Sequence, residues 1–344
     1  MRIFVTVLAF IATFDTYAQV VGGHAIFDFL NVPVNAHVAG LGAQNVSVFD
    51  RDPSLFMSNP ALLNKKMDKR FSLNYLPYLA DVKAISLAGA YNIPKAGLFS
   101  VGFKYLDYGQ MDQRTESADF VGTFGSKDYA IVVGKSHTIG NFTLGMNAKF
   151  LGSELISYKT YAWAVDAGVL FKHPKEDFTV GMAIKNMGKV VKKYTPTSKD
   201  SLPFDVQIGS SYKFRHAPLR VSLTGHTLNK WDIVYNDPNF STKVDEEGNA
   251  EFKKVRNAER LMRHLTFALE ILPIKYVDIR FGYNYLMSRE LSLTDGISAA
   301  GISLGGCVRF DRYEAGFTHT IIHRSGGSNV FTVNVDLGSG YKRL

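Results

Sequence analysis

The sequence predicts an all-β membrane protein, an antiparallel transmembrane barrel of about fourteen strands with an N-terminal plug. Three observations carry this: alternation of apolar and polar residues in segments of about ten, the sorting of connections into long and short, and the lack of an apolar run long enough for a helical span. The stretch Tyr276-Val277-Asp278-Ile279-Arg280-Phe281-Gly282-Tyr283-Asn284-Tyr285 is the model for the rest. Successive strand side chains point to opposite faces, so it has one greasy face and one charged face. A tilted strand with lipid on one side and a wet lumen on the other looks like this.

At 344 residues the chain is long enough for several soluble domains, but barrels of this size are single domains. Charged residues make up only 20% and aromatics 13%, with 30 glycines and a mean hydropathy near zero. A barrel hides its apolar residues in alternate positions, so that average is expected. The formal charge of +8 is spread over turns and strands without a basic helix, so no nucleic-acid partner is expected. Residues 1–18 read as a secretory signal: Arg2, an apolar core from Ile3 to Phe14, and Thr16-Tyr17-Ala18 before Gln19.

Residues 19–66 lack the alternation and are punctuated by Val32-Pro33, Ala39-Gly40-Leu41-Gly42-Ala43 and Asp52-Pro53. Short helices are expected at Ala25–Leu30 and Pro53–Asn59, with Asp50 or Asp52 and then Asn59 as caps, and Gly40-Leu41-Gly42 as a loop. Phe27, Phe29, Leu30, Phe49, Leu55, Phe56, Leu62 and Leu63 need burial, so this segment is expected inside the lumen, with residues 67–344 forming the barrel.

Strands are expected at 70–78, 83–92, 97–107, 119–136, 142–153, 162–172, 178–186, 203–214, 219–227, 263–272, 276–286, 299–309, 312–321 and 329–337. Links after even strands are brief, such as Ile93–Ala96 and Phe310-Asp311. Those after odd strands are longer, as in Tyr108–Ala118, Glu154–Tyr161, Met187–Leu202, Leu228–Met262 and Met287–Ser298, the first link alone excepted. Extracellular loops and periplasmic turns sort this way. Leu228–Met262, charge-rich from Val244 to Arg260, is either a solvated connection or a platform for another surface protein.

The inward faces carry Lys104, Lys149, Lys185, Lys213, Arg220, Arg280 and Arg309 against Asp166, Asp205, Glu270, Asp278, Glu314 and Asp336. A selective pore would show a ring of one sign; near-balance points to pairing under a plug. Lys149, Asp166, Asp205, Asp278, Arg280, Arg309 and Glu314 are the expected lumen network. No His-Glu-x-x-His, Gly-x-Ser-x-Gly or phosphate loop is present, and Cys307 reads as an inward filler beside Ser303 and Arg309. His319 and His323 read as interface residues, and no catalytic residue, metal or cofactor is expected.

The run Asn45-Val46-Ser47-Val48-Phe49-Asp50-Arg51-Asp52-Pro53-Ser54-Leu55-Phe56-Met57-Ser58-Asn59-Pro60-Ala61-Leu62-Leu63 resembles the hatch of the FadL-like outer-membrane proteins. That family puts an Asn-Pro-Ala turn, here Asn59-Pro60-Ala61, in a plug preceding a fourteen-stranded barrel. Within it the chain is most similar to the PorV/PorQ group of the Bacteroidetes type IX secretion system. Val21–Leu30, Val38–Ala43, Gly122-Thr123-Phe124, Gly145–Phe150, Val165–Val169 and Lys185–Gly188 carry that likeness; the ending Gly340-Tyr341-Lys342-Arg343-Leu344, without a final aromatic, departs from many barrels. The resemblance implies a non-catalytic barrel of a cell-surface attachment complex in a Gram-negative outer membrane. Its partners would be a PorZ-like protein that recognises anionic lipopolysaccharide, a PorU-like sortase, a PorV-like barrel and outer-membrane lipid. A FadL-type importer of long-chain fatty acids or other hydrophobic compounds and a PorV-like cargo shuttle remain alternatives, with a soluble two-sheet protein the remote one.

Overall fold

A computed structural model describes residues 26–338 except 34, 79–80, 116, 118, 196–200, 235–242, 245–249, 252–254, 292–298 and 324–325. The secretory signal, the Val21–Ala25 start, the ending Gly340–Leu344 and much of the charged 244–260 stretch lie outside the described residues.

Fourteen antiparallel strands close into one barrel: β1 (Arg70–Pro77), β2 (Lys83–Ile93), β3 (Gly97–Arg114), β4 (Phe120–Ile139), β5 (Phe142–Leu155), β6 (Tyr158–Lys172), β7 (Phe178–Lys192), β8 (Asp205–Lys213), β9 (Leu219–Gly225), β12 (Leu265–Ile274), β13 (Val277–Asn284), β14 (Ile302–Phe310), β15 (Tyr313–His323) and β16 (Gly326–Asp336). The connection between β9 and β12 carries a small ribbon of β10 (Lys243–Val244) and β11 (Ala250–Glu251). β1 pairs with β16 from Arg70↔Asp336 to Tyr75↔Phe331, which closes the wall. No helix among the described residues is long and apolar enough to cross a membrane.

The alternation sets the faces. On β13, Ile279 and Phe281 are 39% and 42% exposed, while Asp278 and Arg280 are 1% and 3% exposed. That is the reverse of a soluble sandwich, and it holds around the wall: Phe71, Leu73, Val101, Ile131, Val133, Leu144, Met146 and Trp163 all face out. Aromatic rings gather at the short-turn end of the outer surface. Phe142 and Phe171 lie 5.1 Å apart between ring centroids, Tyr212 and Phe214 5.0 Å, and Tyr276, Phe310 and Tyr313 are exposed there. An aromatic girdle marks the interface between hydrocarbon and headgroups.

Several expected boundaries are corrected. Tyr108–Arg114 continues β3, and Glu154–Tyr161 is a hairpin with only two residues between β5 and β6. Loop-like composition hid these strands because a ribbon beyond the bilayer needs backbone pairing, not an apolar face. The expected helices are short 3-10 turns, Asp28–Asn31 and Pro53–Met57, the second capped by Asp52, which accepts from Ser54 N at 2.9 Å. Of the expected Gly40-Leu41-Gly42 loop, Leu41 and Gly42 form a turn, while Gly40 ends an α-helix, Ala36–Gly40, whose N-cap Asn35 accepts from Val38 N at 3.0 Å. Helices Asn257–Arg263 and Tyr285–Glu290 flank the long-loop end.

Strand lengths are uneven: β3 and β4 span 18 and 20 residues and β5 to β7 14 or 15, against 9, 7 and 8 in β8, β9 and β13. About ten residues cross a bilayer, so β3–β7 stand above the rest as a wall at the long-loop end. The substitution Ile279→Arg, mid-strand on the outer face, is expected to cost ~2–4 kcal/mol. Denaturant titration of barrel folding into lipid vesicles measures this; a cost below about 0.5 kcal/mol would mean this face does not meet hydrocarbon.

Candidate functional site

The N-terminal segment from Ile26 to Asp68 touches inward faces on opposite sides of the barrel, so it lies in the lumen. Three glycines on adjacent strands form its seat on one side. A Cβ placed on Gly145 would fall 2.3 Å from Pro60 C, one on Gly168 2.0 Å from Asn59 Oδ1, and one on Gly181 2.0 Å from Val46 O. Only bare backbone lets the Asn59-Pro60-Ala61 turn approach this closely. Asn59 is fully buried: Nδ2 donates to Val46 O at 2.8 Å and Oδ1 accepts from Ala61 N at 2.9 Å. On the far side Gly282 faces Gly42, which has φ 81°. There the Ala36–Gly40 helix is tied by Ala36 N to Thr332 Oγ1 at 2.8 Å and by Thr318 Oγ1 to Ala36 O at 2.6 Å. The glycine pair Gly145↔Gly168 was readable as inward positions, but its role as a seat required the register.

The seven expected lumen residues fall into two groups. Lys149, Asp166 and Asp205 line the wall of β5–β8. Lys149 Nζ lies 2.8 Å from Asp166 Oδ2 and donates to Asn186 Oδ1 at 2.8 Å. Asp166 also accepts from Asn186 N at 2.8 Å and Asn147 Nδ2 at 3.1 Å, and Asn147 in turn donates to Phe56 O at 3.0 Å. Asp205 accepts from Gln207 Nε2 and, at 2.7 Å, from Thr227 N.

Asp278, Arg280, Arg309 and Glu314 occupy the opposite wall. Asp278 pairs with Arg280 at 2.9 Å and with Arg309; Glu314 pairs with Arg70 at 2.6 Å and with Arg51 of the lumen segment. Glu270 is the residue that sequence reading placed inward but left out of the network. It takes both Nε and Nη2 of Arg220, the latter at 2.7 Å, and His37 Nε2 at 3.0 Å. His37, Asp50 and Arg51 therefore bring the plug into the ion-pair array, which could not be seen without knowing what faces β12. Cys307 does point inward and is buried, whereas His319 faces out against Asn329.

Two larger spaces flank this packed middle. One of about 500 Å³ at the long-loop end has apolar walls from Leu76, Tyr78, Phe204, Leu286 and Met287. His226 lines it; burial pushes its imidazole down to about 4, so it is neutral at pH 7. The other, about 460 Å³ at the short-turn end, is basic, with Lys66, Lys213, Arg220 and Lys275 around Asp50 and Asp177. No group of three His, Cys, Asp or Glu among the described residues is arranged to hold a metal.

The closed fourteen-strand barrel shares its fold with solved outer-membrane barrels. The solved structure of a TodX monoaromatic hydrocarbon channel mutant (deltaS2) matches at 10% identity, TM-score 0.52, over 90% of this chain and 98% of that one. A Pseudomonas aeruginosa FadL homologue matches at 13% identity, TM-score 0.48, over 88% and 98%. At these identities the likeness is one of fold. No family model and no curated protein sequence matches the chain.

Removing one member of a buried ion cluster strands the others. Glu270→Gln leaves Arg220 and His37 without their carboxylate and is expected to destabilise the folded barrel by ~3–5 kcal/mol, while Glu270→Met with Arg220→Met should recover most of that. Equal stability losses in single and double variants would show that the pair is not coupled.

Asp50 supplies a pH test. Burial pushes its carboxyl up, but His37, Arg220, Arg309 and the Arg51 N–H outweigh this and hold it at about 2, below the ordinary 3.8. A depressed folded pKa stabilises above the unfolded value and is lost as pH falls through the folded one. Hydrogen exchange of residues 45–63 should therefore speed up between pH 3.8 and 2 in the native protein. Asp50→Asn should already be fast and lack that step; a step of the same size in both would exclude Asp50 as its source.

Proposed function

We propose that this chain is a non-catalytic outer-membrane barrel that holds a surface protein at its long-loop end. The carrying observation is the wall formed by β3–β7. Beyond the roughly ten residues per strand that a bilayer needs, it exposes Met111, Phe120, Val121, Ile156, Tyr158 and Val191, with Phe120 and Val121 each 60% exposed. Apolar surface held in water above the membrane is costly at ~25 cal/mol per Å² and is characteristic of docking faces. A plug tied to both walls suits a static anchor better than an open conduit. The sequence resemblance to the PorV/PorQ group supplies the finer reading: a type IX attachment complex, with a PorZ-like partner, a PorU-like sortase and a PorV-like barrel nearby, and lipopolysaccharide at the same surface.

A second reading is favoured by the apolar cavity of about 500 Å³ at the long-loop end. A FadL-type importer of hydrophobic compounds would load there, as the fold shared with a monoaromatic hydrocarbon channel suggests.

Affinity purification of the tagged full-length chain from gently solubilised outer membrane, with mass spectrometry, tests the anchor. The expected result is one large soluble-domain partner in stoichiometric yield, reduced at least tenfold by Phe120→Asp with Val121→Asp, about 1.4 kcal/mol. A barrel recovered alone, with uptake of a hydrophobic compound lost on deletion of the protein, would replace it with the importer. Recovery of secreted cargo instead would make it a shuttle.

A further inference from the structure

Between the plug and the wall of β3–β8 lies a third space, a cavity of about 70 Å³ that neither functional reading uses. Three ammonium groups line it: Lys104 from β3, Lys149 from β5 and Lys185 from β7. None of the buried carboxylates on this wall, Asp128, Asp166 and Asp205, lines the cavity itself. Lys149 is held by Asp166 and Asn186. Lys104 has no counter-ion: its Nζ donates to Leu30 O at 3.1 Å and Val32 O at 2.6 Å, both carbonyls of the plug. Lys185 makes no hydrogen bond or ion pair among the described residues.

The plug adds a fourth donor. Asn45, 3% exposed, also lines the cavity. Its Oδ1 is committed to Ser47 N at 3.0 Å and Val48 N at 2.8 Å, which fixes the amide orientation and leaves Nδ2 buried with no partner. An ammonium has three N–H groups and an amide two. One remains on Lys104, one on Lys149, three on Lys185 and two on Asn45. A buried donor such as Asn45 Nδ2, beside ammonium groups in a cavity that no carboxylate lines, is costly unless something accepts from it. The cavity is also built by a special backbone: Asn186 has φ 59°, at the bulge opposite Val165 and Ala167, and the bulge places Lys185 beside Asn186 over the cavity.

We propose that this cavity is a binding site for one small monovalent anion, of the size of chloride, formate or acetate, which accepts from these donors and joins the plug to the wall. The volume exceeds the ~10–15 Å³ that one water requires and admits such an anion with no tail. Asn45 approaches from the plug, and Lys104, Lys149 and Lys185 from the wall, so occupancy links the two bodies. This holds whether the barrel is an anchor or an importer.

The test uses purified full-length barrel in detergent at constant ionic strength, with gluconate, too large for the cavity, exchanged for chloride, bromide or acetate. Thermal unfolding is expected to shift upward saturably with chloride and bromide, and hydrogen exchange at residues 30–33 and 45–48 to slow in parallel. Acetate in place of chloride separates a carboxylate-selective site from a halide site. Crystals grown in bromide should show an anomalous peak within hydrogen-bond reach of Lys185 Nζ. Lys185→Met provides a discriminating variant. Lys185 has no ion pair among the described residues, so its loss should leave the anion-free protein at least as stable as native, and weaken the anion response at least tenfold. Stability equal in gluconate and chloride, a bromide response unchanged in Lys185→Met, or water alone in the cavity would each overturn the proposal.

Discussion

Hydrocarbon offers a strand's N–H and C=O groups nothing to bond to, and that constraint organises everything else. It is met only when every strand has a neighbour on each side, which β1 and β16 achieve by pairing along Arg70↔Asp336 to Tyr75↔Phe331. Closure turns the apolar face outward, and a cylinder of fourteen strands then encloses a space too wide for its own side chains to fill. What fills it is the chain preceding β1.

Filling a polar lumen creates a second problem, because charges removed from water must be matched there. The two walls answer differently. On β12–β15 and β1 the match is local and near complete: Glu270 and Glu314 each meet three basic side chains and Asp278 two, and the plug contributes His37, Asp50 and Arg51. On β3–β8 the fit is by shape, with Gly145, Gly168 and Gly181 admitting the Asn59 turn against bare backbone. Lys104 there leans on the carbonyls of Leu30 and Val32 rather than on a carboxylate. One wall holds the plug by ion pairing, the other by close backbone approach.

The unequal strands divide the work between membrane and surface. Short strands such as β9 and β13 do little beyond crossing, whereas β3 and β4 carry the ladder well past the lipid. A bulge between Asp107 and Gln110 bends that extension. Apolar residues there, such as Phe120 and Val121, are not needed for lipid contact.

Much of this was legible in the primary structure, because a period of two cannot be confused with anything else when it places Asp278 and Arg280 between Ile279 and Phe281. That pattern set the outward face and turned Lys149, Asp166, Glu270, Asp278 and Arg280 inward, though it did not single out Arg70 or Asp128. It could not show that the residues from Gln110 to Arg114 continue a strand, since pairing outside the bilayer leaves no apolar signature. Nor could it show that Ala36–Gly40 forms a helix, since five residues stand only on contacts with Thr318 and Thr332. Which charges meet was likewise decided by tertiary structure: Glu270 finds His37 across 233 positions of chain, and only closure of the cylinder around the plug brings them within bonding distance.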